Sequence, residues 1–314
     1  QISQIKFPKI CLNLILGGTK RNLLNMKKKA LNKLIKLLDL ETLEENLFRG
    51  QSENIGGPRV FGGQVIGQAL TAAVRTVPEK RFVHSLHAYF LRPGDMEYPI
   101  IYDVERTRDG GSFTTRRVVA IQKGEPIFDM ALSFHKVEKG PSHQIDMLDI
   151  PGPNECTSEL EVRKKMIDKV PAKYRDFFLR ERPIEIRNLP GEGMFEEPTK
   201  KEPYKHVWMK AVGKLPDDVV HHQAILAYAS DMGLLSTSMN PHKLSFAKGN
   251  VMSASLDHAM WFHRPFRADQ WMLYSTDSPS ASNARGFNRG SVYTEDGTLV
   301  ASAVQEGLMR VVKR

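Results

Sequence analysis

The sequence predicts an α+β chain made of two copies of one module, each an antiparallel sheet wrapped around a single helix. Three observations predict it. A helix-like run precedes a strand-rich stretch twice, over residues 62–77 and again over 219–239. The segment Leu86-His87-Ala88-Tyr89-Phe90-Leu91-Arg92-Pro93 returns as Asp257-His258-Ala259-Met260-Trp261-Phe262-His263-Arg264-Pro265. Each segment leads, after a similar interval, to a glycine turn (Lys123-Gly124-Glu125, then Glu295-Asp296-Gly297) and a closing apolar strand. An offset of roughly 170 residues makes the repeat domain-sized. Strands are not interleaved with helices, which disfavours a doubly wound parallel sheet.

The predicted divisions are a basic extension over 1–25, a first module over 26–140, a linker over 141–181 and a second module over 182–314. The run Leu31 to Leu47 reads as the first helix, ending near Arg49-Gly50, and Gly56-Gly57-Pro58 forces a turn. The helix from Gly62 is apolar or small nearly all round, hence buried. Gly63 and Gly67 share a face, allowing close approach to whatever covers it. Alternation then predicts strands over 83–91, 99–107, 112–122 and 127–137. The linker carries Pro141, Pro151 and Pro153 and a charged helix over 159–180 interrupted by Pro171. Strands are predicted again over 184–189 and 207–212. Pro216-Asp217-Asp218 starts the second helix, with acids at the positive end of its dipole. Strands over 253–263, 271–277, 284–294 and 299–309 complete the second module.

Composition narrows the function classes. The 314 residues are 41% hydrophobic and 26% charged, which suits a globular protein with a substantial core. The net charge of +9 comes from residues 1–36, which hold nine bases and no acid; elsewhere 36 bases face 36 acids. A neutral body argues against nucleic-acid binding. Cys11 and Cys156 offer no disulfide framework and no thiolate metal site, and a reducing compartment is expected. No apolar run reaches the roughly 18 residues of a membrane helix. Ile10 to Leu16 is too short and too interrupted for a signal-peptide core. The chain ends Val312-Lys313-Arg314, not in a peroxisomal Ser-Lys-Leu tripeptide, and a cytoplasmic location is expected.

Several familiar machines are missing: GxSxG, HExxH and GxxxxGK[ST] do not occur, and Gly191-Glu192-Gly193 lacks the rest of a dinucleotide fingerprint. Asp231 lies in the most apolar helix of the second copy, where a carboxylate must be paired or functional. Desolvation there would raise its proton affinity and suit it to act as a base. Ser255 precedes Asp257-His258, which invites a Ser-His-Asp reading. Strict alternation opposes it by putting Asp257, Ala259, Trp261 and His263 on the face of Ser255, and His258 on the other. Gln305 interrupts an apolar closing strand, and a buried carboxamide can hold a water or donate to an oxyanion. Matched through the turn glycines, its counterpart in the first copy is Leu132.

The stretches FRGQSENIGGPRVFGGQVIGQAL (48–70), SLHAYFLRPGD (85–95), LAYASDMGLL (226–235), SLDHAMWFHRPF (255–266), SASNARGFNRG (280–290) and ASAVQEGLMR (301–310) resemble the acyl-CoA thioesterase II family. The resemblance runs in order over roughly residues 34 to 310. It implies a double hotdog fold and hydrolysis of fatty acyl-CoA to free fatty acid and coenzyme A. It further implies catalysis by Asp231, Ser255 and Gln305 on a water, without cofactor, metal or covalent acyl-enzyme, and a homodimer or homotetramer. Arg264 and Arg285 are candidates for the coenzyme A phosphates, or for structural pairing. Met232, Leu234, Trp261 and Phe262 are candidates for an acyl tunnel, or for core packing. A hotdog hydratase or dehydratase and a non-catalytic acyl-CoA-binding protein are the alternative readings.

Overall fold

The computed structural model describes residues 25–190, 202–245 and 249–312. Residues 1–24 of the basic extension, the Gly191-Glu192-Gly193 stretch and Lys313-Arg314 lie outside them.

The first helix, α1 (residues 25–38), buries Leu31, Leu34, Leu37 and Leu38 at helical spacing. It is shorter than predicted. Past Leu40 the period changes, with Phe48 and Gly50 buried between half-buried Leu47 and Arg49, and the chain makes a hairpin of β1 (Glu41–Glu44) and β2 (Leu47–Gly50). α2 (Gly62–Val74) is the buried helix of the first copy. Around it curve β3 (Arg81–Phe90), β4 (Ile100–Asp109), β5 (Phe113–Gln122) and β6 (Glu125–Lys136), all close to their predicted bounds.

The linker is less regular than one charged helix. β7 (Thr157–Ser158) and α3 (Glu159–Lys165) lead through two 3-10 turns to α4 (Arg175–Leu179), with Pro171 at the break. The second copy then lays down β8 (Ile184–Asn188), β9 (Tyr204–Ala211), α5 (Val219–Ser230), β10 (Val251–Ser255), β11 (Asp257–Phe262), β12 (Met272–Ser282), β13 (Arg285–Thr294) and β14 (Leu299–Val311). Asp218 caps α5, its carboxylate accepting from Val220 N–H at 3.2 Å. The second helix stops at Ser230 instead of running to Met239. Gly233 adopts φ +78, which only glycine does cheaply, and a 3-10 segment, Leu235–His242, follows.

Both copies share one antiparallel sheet, ordered β1-β2-β4-β5-β6-β3-β11-β14-β13-β12-β9-β8-β7, with β10 also on β14. The copies join through β3 and β11, where Ala88 faces His258 and Leu86 faces Met260. The helices pack against each other inside. A Cβ on Gly63 would lie 2.2 Å from the Tyr228 carbonyl, and one on Gly67 3.2 Å from that of Ala224. The contacts run in opposite directions along the two helices, so α2 and α5 are antiparallel; both glycines approach α5, and Gly67 also meets Leu38 of α1. The result is the double hotdog arrangement, one buried helix per curved sheet half.

Candidate active site

The antiparallel helix pair brings the start of α2 to the end of α5. α2 begins at Phe61 with no side-chain cap and no acid in its first turn. Asp231, the residue after α5, fills that role from the other copy. Its Oδ2 accepts from Gly63 N–H at 2.9 Å. Its Oδ1 accepts from Gln305 Nε2 at 2.7 Å and from Ser255 Oγ at 3.4 Å. Residues 231, 255 and 305, predicted separately, thus meet on one carboxylate. Burial pushes the Asp231 pKa up to about 6, against the opposing hydrogen bonds from Gln305, Gly63 and Ser255.

Gln305 is fully buried on β14, and its Oε1 accepts no hydrogen bond among the described residues. Its Nε2 lies 3.2 Å from Nδ1 of His258. His258 is fully buried, and burial lowers its pKa to about 4, so the ring is neutral at physiological pH. Strict alternation puts this histidine on the face away from Ser255, and a bulge makes the difference. Ser255 faces Gly307 and Ala259 faces Val304, so four steps on one strand oppose three on the other. The extra residue reverses the alternation between β10 and β11. Asp257 closes the bulge by accepting from Glu306 N–H at 2.6 Å. Ser255 and His258 consequently both approach the Asp231–Gln305 pair.

The same reversal corrects the expectation for Trp261. It sits on the outer face, edge-on to His87 at 5.2 Å between ring centroids. Arg264 donates to Leu299 O, His143 O and Ser142 Oγ, tying down the linker, and Arg285 pairs with Glu306 at 2.8 Å. None of the three lines the cavity at Asp231, and Phe262 stacks on Phe266 in the core. Met232 and Leu234 do line that cavity, which holds about 730 Å³. Its apolar wall also takes Leu34 of α1, Phe61, Ile184, Ile186 and Val207. Contributions from α1 and the linker were invisible in the sequence, because neither carries a motif.

The first copy lacks the corresponding apparatus. Leu86, Leu132 and Arg116 lie side by side across β3, β6 and β5, as His258, Gln305 and Asn288 do across β11, β14 and β13. Arg116 is fully buried and donates to Thr76 Oγ1, Thr76 O, Thr115 O, Arg108 O and the Asp109 carboxylate. A guanidinium with every arm engaged occupies this place.

Residues 49–135 match the acyl-CoA thioesterase N-terminal domain, and residues 174–308 match the acyl-CoA thioesterase family. The chain is 41% identical over 284 residues to acyl-CoA thioesterase 2 of Haemophilus influenzae, covering 89% of this chain and 98% of that protein. It is 41% identical over 283 residues to human acyl-coenzyme A thioesterase 8, covering 88% of each. A crystal structure of an acyl-CoA thioesterase II from Mycobacterium marinum superposes with TM-score 0.72 at 42% identity, over 89% of this chain and 99% of that one. A hot dog protein of unknown function from Alicyclobacillus acidocaldarius superposes at 0.71 with 18% identity over 90% and 99%, and speaks to the fold alone. With two family matches, these identities and the shared architecture, the chain belongs to the acyl-CoA thioesterase II family of thioester hydrolases.

Proposed function

We propose that this protein hydrolyses fatty acyl-CoA thioesters by direct attack of water, with Asp231 as general base and Ser255 and Gln305 orienting the nucleophile. The observation that carries the reading is the convergence of Ser255 and Gln305 on the carboxylate of Asp231, which itself lines a largely apolar cavity. The names of the relatives supply the substrate class.

In this reading the acyl chain lies in the cavity and its carbonyl carbon stands near Asp231. A thioester carbonyl is electrophilic and its thiolate leaves readily, so one base and a placed water suffice. Asp231 takes a proton as the water oxygen bonds to the carbonyl carbon. The tetrahedral species then collapses, the carbon–sulfur bond breaks, and Asp231 returns the proton toward the departing thiolate. The chemistry as written needs no metal or cofactor. Gln305 Oε1, buried and without a donor among the described residues, is suited to accept a hydrogen bond from that water. Ser255 acts through its hydroxyl as a hydrogen-bonding group and not as a nucleophile.

The hydratase reading wants a histidine paired with an acid, whereas His258 contacts Gln305 and Ser230 and is held neutral. The experiment is free-thiol release from an acyl-CoA by wild type and Asp231→Asn. A loss of at least about 10² in kcat is expected in the variant, the scale of general-base assistance. Near-normal turnover in a folded variant removes Asp231 as the base. Intact-mass spectrometry during turnover checks the covalent alternative, since an acyl adduct on Ser255 would exclude direct attack. Binding of acyl-CoA without thiol release by the wild type would leave only a binding role.

A further inference from the structure

His258 is buried, polar and outside the trio, and its surroundings dictate what it does. Its Nε2 lies 3.0 Å from Ser230 Oγ, and Ser230 Oγ donates its own hydrogen to Ala227 O at 2.9 Å. A hydroxyl already donating to a helix carbonyl can only accept from the ring, so the ring hydrogen sits on Nε2. Nδ1 is then bare and accepts from Gln305 Nε2 at 3.2 Å. Read back from Ala227 O in α5, each direction in the chain Ala227–Ser230–His258–Gln305 follows from the one before it.

A carboxamide is nearly symmetric in shape, so something must keep Gln305 from flipping to present its oxygen to Asp231. The Asp231 carboxylate does so only while it is ionised. Once it has taken a proton during turnover, it can donate as well as accept, and the preference weakens. The bare Nδ1 of His258 is an acceptor independent of the charge on Asp231. We propose that His258 is a positioning residue that locks the Gln305 carboxamide with its NH₂ toward Asp231 and its oxygen toward the reacting water. The first copy supports a functional reason for the pair: where glutamine is replaced by Leu132, the histidine is replaced by Leu86, and the two leucines face each other in the same strand register. The proposal rests on the water-attack reading above.

The test compares full-length His258→Leu, His258→Asn and His258→Gln by kcat, KM and thermal unfolding, alongside ¹⁵N NMR of wild-type imidazole nitrogens. Leucine is accepted at the matching position of the first copy, so the leucine variant is expected to fold. Its kcat should fall about 10- to 10²-fold, the scale of a misplaced reacting group, with KM changed less than roughly two-fold. Asparagine, whose Oδ1 takes the place of Nδ1, should recover most of kcat; glutamine, which reaches the Nε2 place, should not. The wild-type ring should be the Nε2–H tautomer. An Nδ1–H tautomer, unchanged kcat in a folded leucine variant, or equal loss in the asparagine and glutamine variants each overturns the proposal. If the leucine variant does not fold, the asparagine–glutamine comparison and the tautomer decide. The tautomer is read without turnover, so failure here is distinct from an active Asp231→Asn, which would sink the water-attack reading itself.

Discussion

Gly63 N–H donates to Asp231 Oδ2 at 2.9 Å, across 168 residues of sequence and from one copy of the module to the other. The first copy has leucines where the second has His258 and Gln305, yet its helix start holds the Asp231 carboxylate of the second. The duplication therefore yields one site built from both halves, and the other end of the helix pair is occupied by Arg116.

Gly63→Ala should damage stability and activity together. The added Cβ would sit 2.2 Å from the Tyr228 carbonyl and 2.5 Å from the Phe61 ring, so α2 must move off α5. A loss of about 1–3 kcal/mol or more is expected from such overpacking. Urea unfolding measures it, and kcat should fall as the amide leaves Asp231.

The acid limb of the rate profile should belong to Asp231. A general base works deprotonated, so kcat/KM should rise with pH through about 6 and level off above it. His258, lowered to about 4, stays neutral across that range and should add no second limb there. The profile is measured by thiol release, and Asp231→Asn should lack the limb.

Stability should carry opposite signatures from the same two residues. The Asp231 pKa is raised in the folded state, so its contribution is full below about 3.8 and lost as pH rises through about 6. His258 is lowered, so its contribution is full above about 6.5 and lost as pH falls toward about 4. Each is on the order of 3 kcal/mol, and in the wild type they largely offset one another. Asp231→Asn should therefore lose stability on acidification from near pH 6.5 to near 4.5 more steeply than wild type, and His258→Asn should gain. Urea midpoints at the two pH values check the signs; loss in both variants would contradict the Asp231 assignment, and gain in both the His258 assignment.

Arg116 should matter to the fold and little to the chemistry. Arg116→Leu leaves Thr76, Thr115 and Arg108 carbonyls without their buried donor. A cost of about 2–4 kcal/mol is expected from unsatisfied buried groups, with kcat of the folded fraction unchanged. Calorimetry combined with active-site titration separates the two effects.

Ala30 of α1 lines the cavity with Leu34, so filling that wall should shorten the preferred acyl chain. Ala30→Trp is expected to lower kcat/KM for long-chain acyl-CoA while sparing short-chain substrates. A rate series over acyl length reads the shift.

The local sequence carried a great deal. Alternating apolar residues marked most of the large strands to within a few positions, and the uncharged run from Gly62 marked a helix buried on every side. Asp231 and Gln305 stood out because each is polar within an apolar stretch, which the physics of burial penalises unless partners exist. Two errors share one origin. Counting by twos from Ser255 put Trp261 inside and His258 outside, and the single extra residue before β11 exchanged them. The helix over 219–239 was overextended because apolar residues continue past Ser230, while Gly233 with φ +78 ends the helix before them.

Repeat, element order and the identity of the polar intruders are properties of short windows, set by periodicity and by what each side chain can bury, and the chain alone determined them. The meeting of Asp231 with Gly63, Gln305 and Ser255, the return of His258 to the interior, and the cavity wall from α1 came only with the tertiary structure. They depend on strand register and on the antiparallel packing of α2 against α5, contacts between residues far apart in sequence that no local period encodes.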